Sequence, residues 1–90
     1  MTSEEIQRFL DTKTSTDNNY VRIKFKDRES IFGLFLKNHS DYAHLKSKNF
    51  WRIVPRSQFD AYGISKNEGL AKIFNGASFS RLAIFTDSFD

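Results

Sequence analysis

Tyr20–Lys37, YVRIKFKDRESIFGLFLK, decides the fold. Across Tyr20–Lys26, apolar and cationic side chains alternate strictly: Val21, Ile23 and Phe25 fall on one side, Arg22, Lys24 and Lys26 on the other. Period two with a charged outer row is the pattern of an antiparallel strand with one face buried and the other in water. Asp27-Arg28-Glu29-Ser30 reads as the turn, although it lacks the glycine that a two-residue primed turn favours. Ile31–Lys37 is nearly continuous in apolar residues, as in a strand covered on both faces or bent across a barrel. Gly33 lies in its middle, and a mid-strand glycine marks a strong bend or a close backbone approach.

Ala71–Phe85, AKIFNGASFSRLAIF, echoes this arrangement. Leu70–Phe74 is read as a strand and Asn75-Gly76 as a tight hairpin turn. Ser78–Phe85 is the expected return strand, with Leu82 and Ile84 on one face. Between the two units, Phe50–Val54 is β-branched and aromatic and stops at Pro55, which cannot donate to a ladder. Tyr42–Leu45 reads either as a further strand or as part of the preceding loop.

The helical segments are short. Thr2-Ser3-Glu4-Glu5 fits a capping box, and Ile6, Phe9 and Leu10 recur at helical spacing behind it. A helix of this size is marginal by itself and must lie on the sheet, at the open end of a barrel. Thr12–Asn19 is polar and rich in breakers, hence a loop. Ser57 is the expected cap of a second short helix carrying Phe59 and Tyr62 and stopped by Gly63, with Ser65–Gly69 as a loop.

Composition fits a single soluble domain: 90 residues, 39% hydrophobic and 28% charged. With no cysteine, stability must come from apolar burial rather than disulfides or thiolate metal sites, and ten Phe, three Tyr and one Trp provide the material. The expected fold class is therefore mainly β: a small five-stranded SH3-like barrel with a short N-terminal helix and a short helical insertion before the last hairpin. Residues 1–90 form one domain, with 1–19 as N-terminal helix and loop and 86–90 as a frayed tail. No apolar run approaches the length of a membrane span, and the acidic, amphipathic start is unlike a secretory leader, so the cytoplasm is the expected location.

The net charge of +3 is compatible with nucleic acid or an acidic partner. His39, Asp41 and His44 are the one short-range group with metal-ligand chemistry. No further His or Cys exists to close a zinc shell, and no catalytic signature stands out in the sequence, so neither a metal, a cofactor nor an enzyme activity is expected. The cations that alternate with core residues, Arg22 and Lys24 among them, read as a solvated outer face. Lys46, Lys48 and Arg52 lie near Tyr42, Phe50 and Trp51, which makes that segment the best candidate for attracting phosphate beside a stacking ring. Trp51 is assigned to the core. Tyr42, in a polar stretch, is the ring expected to stand exposed.

Two stretches carry a family resemblance. Val21–Asp27, Ile31-Phe32-Gly33-Leu34 and Asp41–Leu45 are similar to the first motif of the Sm-like proteins, and Ile73–Leu82 with its Asn75-Gly76 turn resembles their second. The gap from Gly33 to Asp41 is longer than in that family, His44 stands where an Asn is expected, and Arg56–Gly69 is a longer insertion. The resemblance implies an Sm-like barrel that pairs edge strands into a homo-oligomeric ring and binds single-stranded RNA. It implies a base stacked on Tyr42 and polar contacts from His44 and Asn75. The RNA-binding set expected is thus Tyr42, His44, Lys46, Lys48, Arg52 and Asn75. The alternative is a non-enzymatic protein–protein interaction module using an aromatic groove of the barrel.

Overall fold

Five strands form one antiparallel sheet in the computed structural model, which describes residues 1–14, 20–37 and 40–84. They are β1 (Tyr20–Phe25), β2 (Ile31–Phe35), β3 (Phe50–Pro55), β4 (Lys72–Asn75) and β5 (Phe79–Ile84). Their spatial order is β4-β3-β2-β1-β5, so β4 and β5 stand at the two edges and the sheet is not closed. The alternation read in Tyr20–Lys26 holds: Val21, Ile23 and Phe25 are buried while Arg22 and Lys24 are exposed. Gly33 sits where β2 passes tightly between its neighbours, since a Cβ there would run into Ile53 Cγ2 and reach 3.5 Å from Ile23 Cδ1.

Helix α1 (Ser3–Lys13) opens with the expected capping box: Thr2 Oγ1 accepts from the Glu5 N–H at 3.1 Å and Glu5 Oε1 from the Thr2 N–H at 2.8 Å. Its apolar stripe delivers Ile6 and Leu10 into the core, where they meet Val21, Ile23, Phe35, Trp51, Ile53 and Phe79. Thr12 and Lys13, read as loop, are instead its last residues. Trp51 is 2% exposed, in the core as expected.

Three further readings of the sequence need correction. Asn75-Gly76 is not a hairpin turn, and the last two strands do not pair. Asn75 Oδ1 accepts from the Ala77 N–H and its carbonyl from Ser78 Oγ, which stabilises a 3₁₀ turn over Gly76–Ser78. That turn carries the chain over to β1, where Phe79 is buried edge-on against Phe25 at 5.4 Å. Tyr42–Leu45 is neither strand nor loop but the start of helix α2 (Tyr42–Ser47). Tyr42 and Leu45, three apart, share its half-buried side, whereas Ala43 and His44 are exposed. Gly63 does not stop the second short helix. A 3₁₀ turn (Arg56–Gln58) leads into α3 (Phe59–Ser65), which ends at Lys66 in the left-handed region (φ 53°).

The helical insertion covers part of the outer face of the sheet, over Tyr20 and Phe32. Phe59 packs on Tyr20 with ring centroids 4.7 Å apart, and the Arg56 guanidinium lies 5.3 Å from the Phe32 ring centre. A second 3₁₀ turn (Glu68–Leu70) delays β4 to Lys72. Residues 15–19 of the expected loop, 38–39 and the tail at 86–90 lie outside the described residues. Among the described residues no helix is long and apolar enough to cross a membrane.

Candidate nucleic-acid interface

Helix α2 packs along β3, and this contact places most of the predicted residues. The Tyr42 ring meets Trp51 edge-on at 6.0 Å, and its hydroxyl donates to Gln7 Oε1 on α1. Tyr42 is therefore a half-buried link between α1, α2 and the core rather than a free-standing ring. Burial, opposed by the Gln7 bond, pushes its phenol above the ordinary value of 10.0. His44 is exposed on the opposite side of α2, Lys46 is half-buried and Lys48, at the helix C-terminus, is exposed. Cations at this end also suit the partial negative charge of the helix carbonyls.

Arg52 is not an available cation. Its guanidinium Nη2 donates to Asp41 Oδ2 at 2.6 Å, with the Arg side chain only 18% exposed. Asp41 occupies the N-cap position of α2 but turns its carboxylate to β3 instead of capping the helix. The pair fastens α2 to the sheet and neutralises Asp41 at the start of the helix that carries Tyr42 and His44. Among the described residues no three His, Cys, Asp or Glu side chains converge, and His39 lies outside them.

Asn75 is distant in sequence, yet a polar knot around Asn49 brings its segment to the end of α2. Asn49 is in the left-handed region (φ 62°), which Asn tolerates better than most residues. Its carbonyl accepts from the Gly76 N–H at 2.8 Å, its Oδ1 from Trp51 Nε1 at 2.9 Å, and its Nδ2 donates to the Met1 carbonyl at 2.9 Å. The Met1 amine in turn donates to the Gly76 and Phe79 carbonyls at 3.2 and 2.8 Å. The turn after α2 and the 3₁₀ turn after β4 are thus one structural unit. Lys46, Lys48 and Asn75 belong to its surface, and Asn75 pairs in register with Phe50.

A second cationic surface lies on the outer face of β1 and β5. Arg22, Lys24 and Arg81, with Leu82 and Ala83, line an open groove of about 250 Å³. Lys24 stands directly across from Arg81, and Arg22 across from Ala83. The alternation of β1 makes the exposure of Arg22 and Lys24 readable, but no sequence signal places Arg81 beside them. A bulge does so: Lys24 pairs with Arg81 and Phe25 with Phe79, leaving Ser80 as the extra residue.

Comparison with protein-family models, curated proteins and solved structures finds no match to this chain.

Proposed function

We propose that the chain is a small SH3-like, Sm-like barrel protein that binds single-stranded RNA, as an oligomer, through the unit formed by α2 and the Gly76–Ser78 turn. The observation that carries this reading is the bond from the Gly76 N–H to the Asn49 carbonyl, at 2.8 Å. It ties the turn that follows α2, the helix bearing Tyr42 and His44, to the segment bearing Asn75, the three residues that the Sm-like resemblance implies for RNA. Lys46 and Lys48 attract phosphate, His44 is exposed beside them, and Asn75, with its Oδ1 occupied by Ala77, keeps its amide hydrogens for a ligand. Arg52 serves by holding Asp41 away from the phosphates, and Tyr42 offers a base only the part of its ring that Trp51 and α1 leave uncovered. The return of β5 to pair with β1, together with an N-terminal helix on the core, supports the barrel relationship.

The test is fluorescence anisotropy of short mixed-sequence single-stranded RNA at low and physiological salt, comparing the unsubstituted chain with Lys46→Glu/Lys48→Glu. Loss of two phosphate contacts lowers the slope of log affinity against log salt by about 1.4. An unchanged slope and affinity in the double variant would remove α2 from the interface. Sedimentation in the same buffers reads the oligomeric state. The second reading, a protein-interaction module, is favoured by Ile73, 52% exposed on edge strand β4, and Ile64, 88% exposed on α3. It predicts binding that is nearly insensitive to salt.

A further inference from the structure

The groove on β1 and β5 has a charge arrangement that folding alone does not favour. Like charges directly opposite on neighbouring strands repel, and Lys24 faces Arg81 across an antiparallel pair with Arg22 two residues along the same strand. Among the described residues none of the three side chains has a carboxylate partner: the Asp41–Arg52 bridge lies elsewhere, and no other side-chain bond or ion pair engages them. The bulge at Ser80 sharpens the arrangement. Both Ser80 and Arg81 are exposed while Phe79 and Leu82 are buried, so the extra residue turns Arg81 outward to meet Lys24.

We infer that this groove is a second nucleic-acid contact, one that takes the phosphodiester backbone of a single strand without reading its bases. The charge identifies an anion. The repetition identifies a polymeric one: Arg22 and Lys24 lie roughly 6.7 Å apart along the strand direction, a spacing of the same order as that of successive phosphates on an extended single strand. The floor identifies backbone rather than base recognition, because Ala83 and the main chain of Leu82, whose side chain turns into the core, offer neither a stacking ring nor a side-chain hydrogen-bonding edge. The α3 insertion, which covers Tyr20 and Phe32 on the same face, leaves the groove open. The groove does not depend on the α2 surface, which packs on β3 with β2 standing between β3 and β1.

The test separates the two surfaces by using Lys46→Gln/Lys48→Gln as the background. Fluorescent homopolymers of uridine, adenosine and deoxythymidine are titrated at 50 and 200 mM salt. With three phosphates neutralised, affinity falls roughly 20-fold over this range and differs little among the homopolymers. Adding Lys24→Gln and Arg81→Gln weakens binding and reduces the salt effect to about threefold. The same two substitutions relieve the cross-strand repulsion, so the melting temperature stays level or rises; a purely structural role would lower it. Background protein that binds no homopolymer, or groove substitutions that change neither affinity nor slope, would overturn the inference. A duplex of equal length that binds as well would overturn the assignment to single strands. As an independent reading, uridine homopolymer added to the unsubstituted chain should shift the NMR resonances of Arg22, Lys24 and Arg81. Resonances that stay fixed while binding saturates would exclude the groove.

Discussion

Gly76→Ala tests the knot that joins α1, the α2 turn and the 3₁₀ turn. Gly76 is buried, and no glycine in the described chain has a positive φ, so Gly76 is required for space rather than for backbone freedom. A Cβ there would collide with Asn49 Oδ1 and lie 2.5 Å from Ile6 Cδ1 and 2.8 Å from Trp51 Nε1. Ile6 is a core residue, and the other two atoms are the partners of one hydrogen bond, so none of them is the loose end of a surface side chain. Overpacking costs about 1–3 kcal/mol. Displacing the Trp51–Asn49 bond adds about 1 kcal/mol. Restriction of the unfolded chain by the new methyl returns about 0.4–1 kcal/mol. The net loss is about 2 kcal/mol, which for a domain of this size lowers the melting temperature by roughly 8–16 °C. Thermal and urea unfolding followed by the fluorescence of Trp51, which is the chain's one tryptophan and bonded to Asn49, reports both the loss and its location. Gly63→Ala is the control: nothing lies within 4 Å of its added Cβ, and its place inside α3 makes alanine the better residue by about 0.5–1 kcal/mol. A Gly76→Ala protein melting within about 2 °C of the unsubstituted chain would refute the reasoning, because the knot would then yield to a methyl group at almost no cost.

Three further outcomes are expected. Thr2→Ala removes one half of the capping box and lowers stability by about 1 kcal/mol in urea unfolding. The other half titrates: the Thr2 N–H chiefly, then its hydroxyl, hold the Glu5 carboxyl below 4.5, so its contribution is complete above that pH and is lost on acidification, a loss that Glu5→Gln abolishes. Tyr42→Phe costs about 0.5–1.5 kcal/mol by deleting the hydroxyl that reaches Gln7. Because burial raises the Tyr42 phenol above 10.0, its neutral form is favoured in the folded chain; stability falls as pH rises past 10, and the phenylalanine variant lacks this part of the alkaline loss. Asn49→Ala removes both side-chain bonds and places alanine at φ 62°, whereas Asn49→Gly removes the bonds alone, so calorimetry should find alanine the less stable by about 1–2 kcal/mol.

What the sequence disclosed was whatever periodicity alone determines. Strand β1 and the capping box are local patterns in which each residue's role follows from its neighbours, and both stand as read. Asn75-Gly76 failed because the same dipeptide serves two turns. Its side chain and carbonyl bond forward to Ala77 and Ser78, and the burial of Phe79 against Phe25 on a strand some fifty residues earlier decides between them. Tyr42 failed as an exposed ring because its surroundings in sequence are polar, whereas its surroundings in space are Gln7 and Trp51. Arg52 read as free for the same reason: Asp41 comes to it only once α2 lies on β3. Lys46 and Lys48 needed only the helix terminus to place them, and Asn75 could join them only through Asn49, whose left-handed backbone carries no sequence mark beyond the residue type.

Leu82 and Ile84 share the inner face of β5 as their alternation indicates, but the Ser80 bulge breaks that alternation between them and Phe79. Strict period two from a buried Phe79 would put Arg81 inward and Leu82 outward, burying a guanidinium and exposing a leucine. One added residue reverses both, so that Leu82 is 7% exposed and Arg81 stands in water opposite Lys24. Core packing is sufficient reason for the inward half of that exchange, since Leu82 completes the cluster around Phe25 and Phe79. It gives no reason for a cation in the outward half: a serine, threonine or glutamate would serve the core equally, and glutamate would also satisfy Lys24. An arginine at 81 is what the outer face adds beyond folding, and on that residue the proposed contact with a phosphate chain rests.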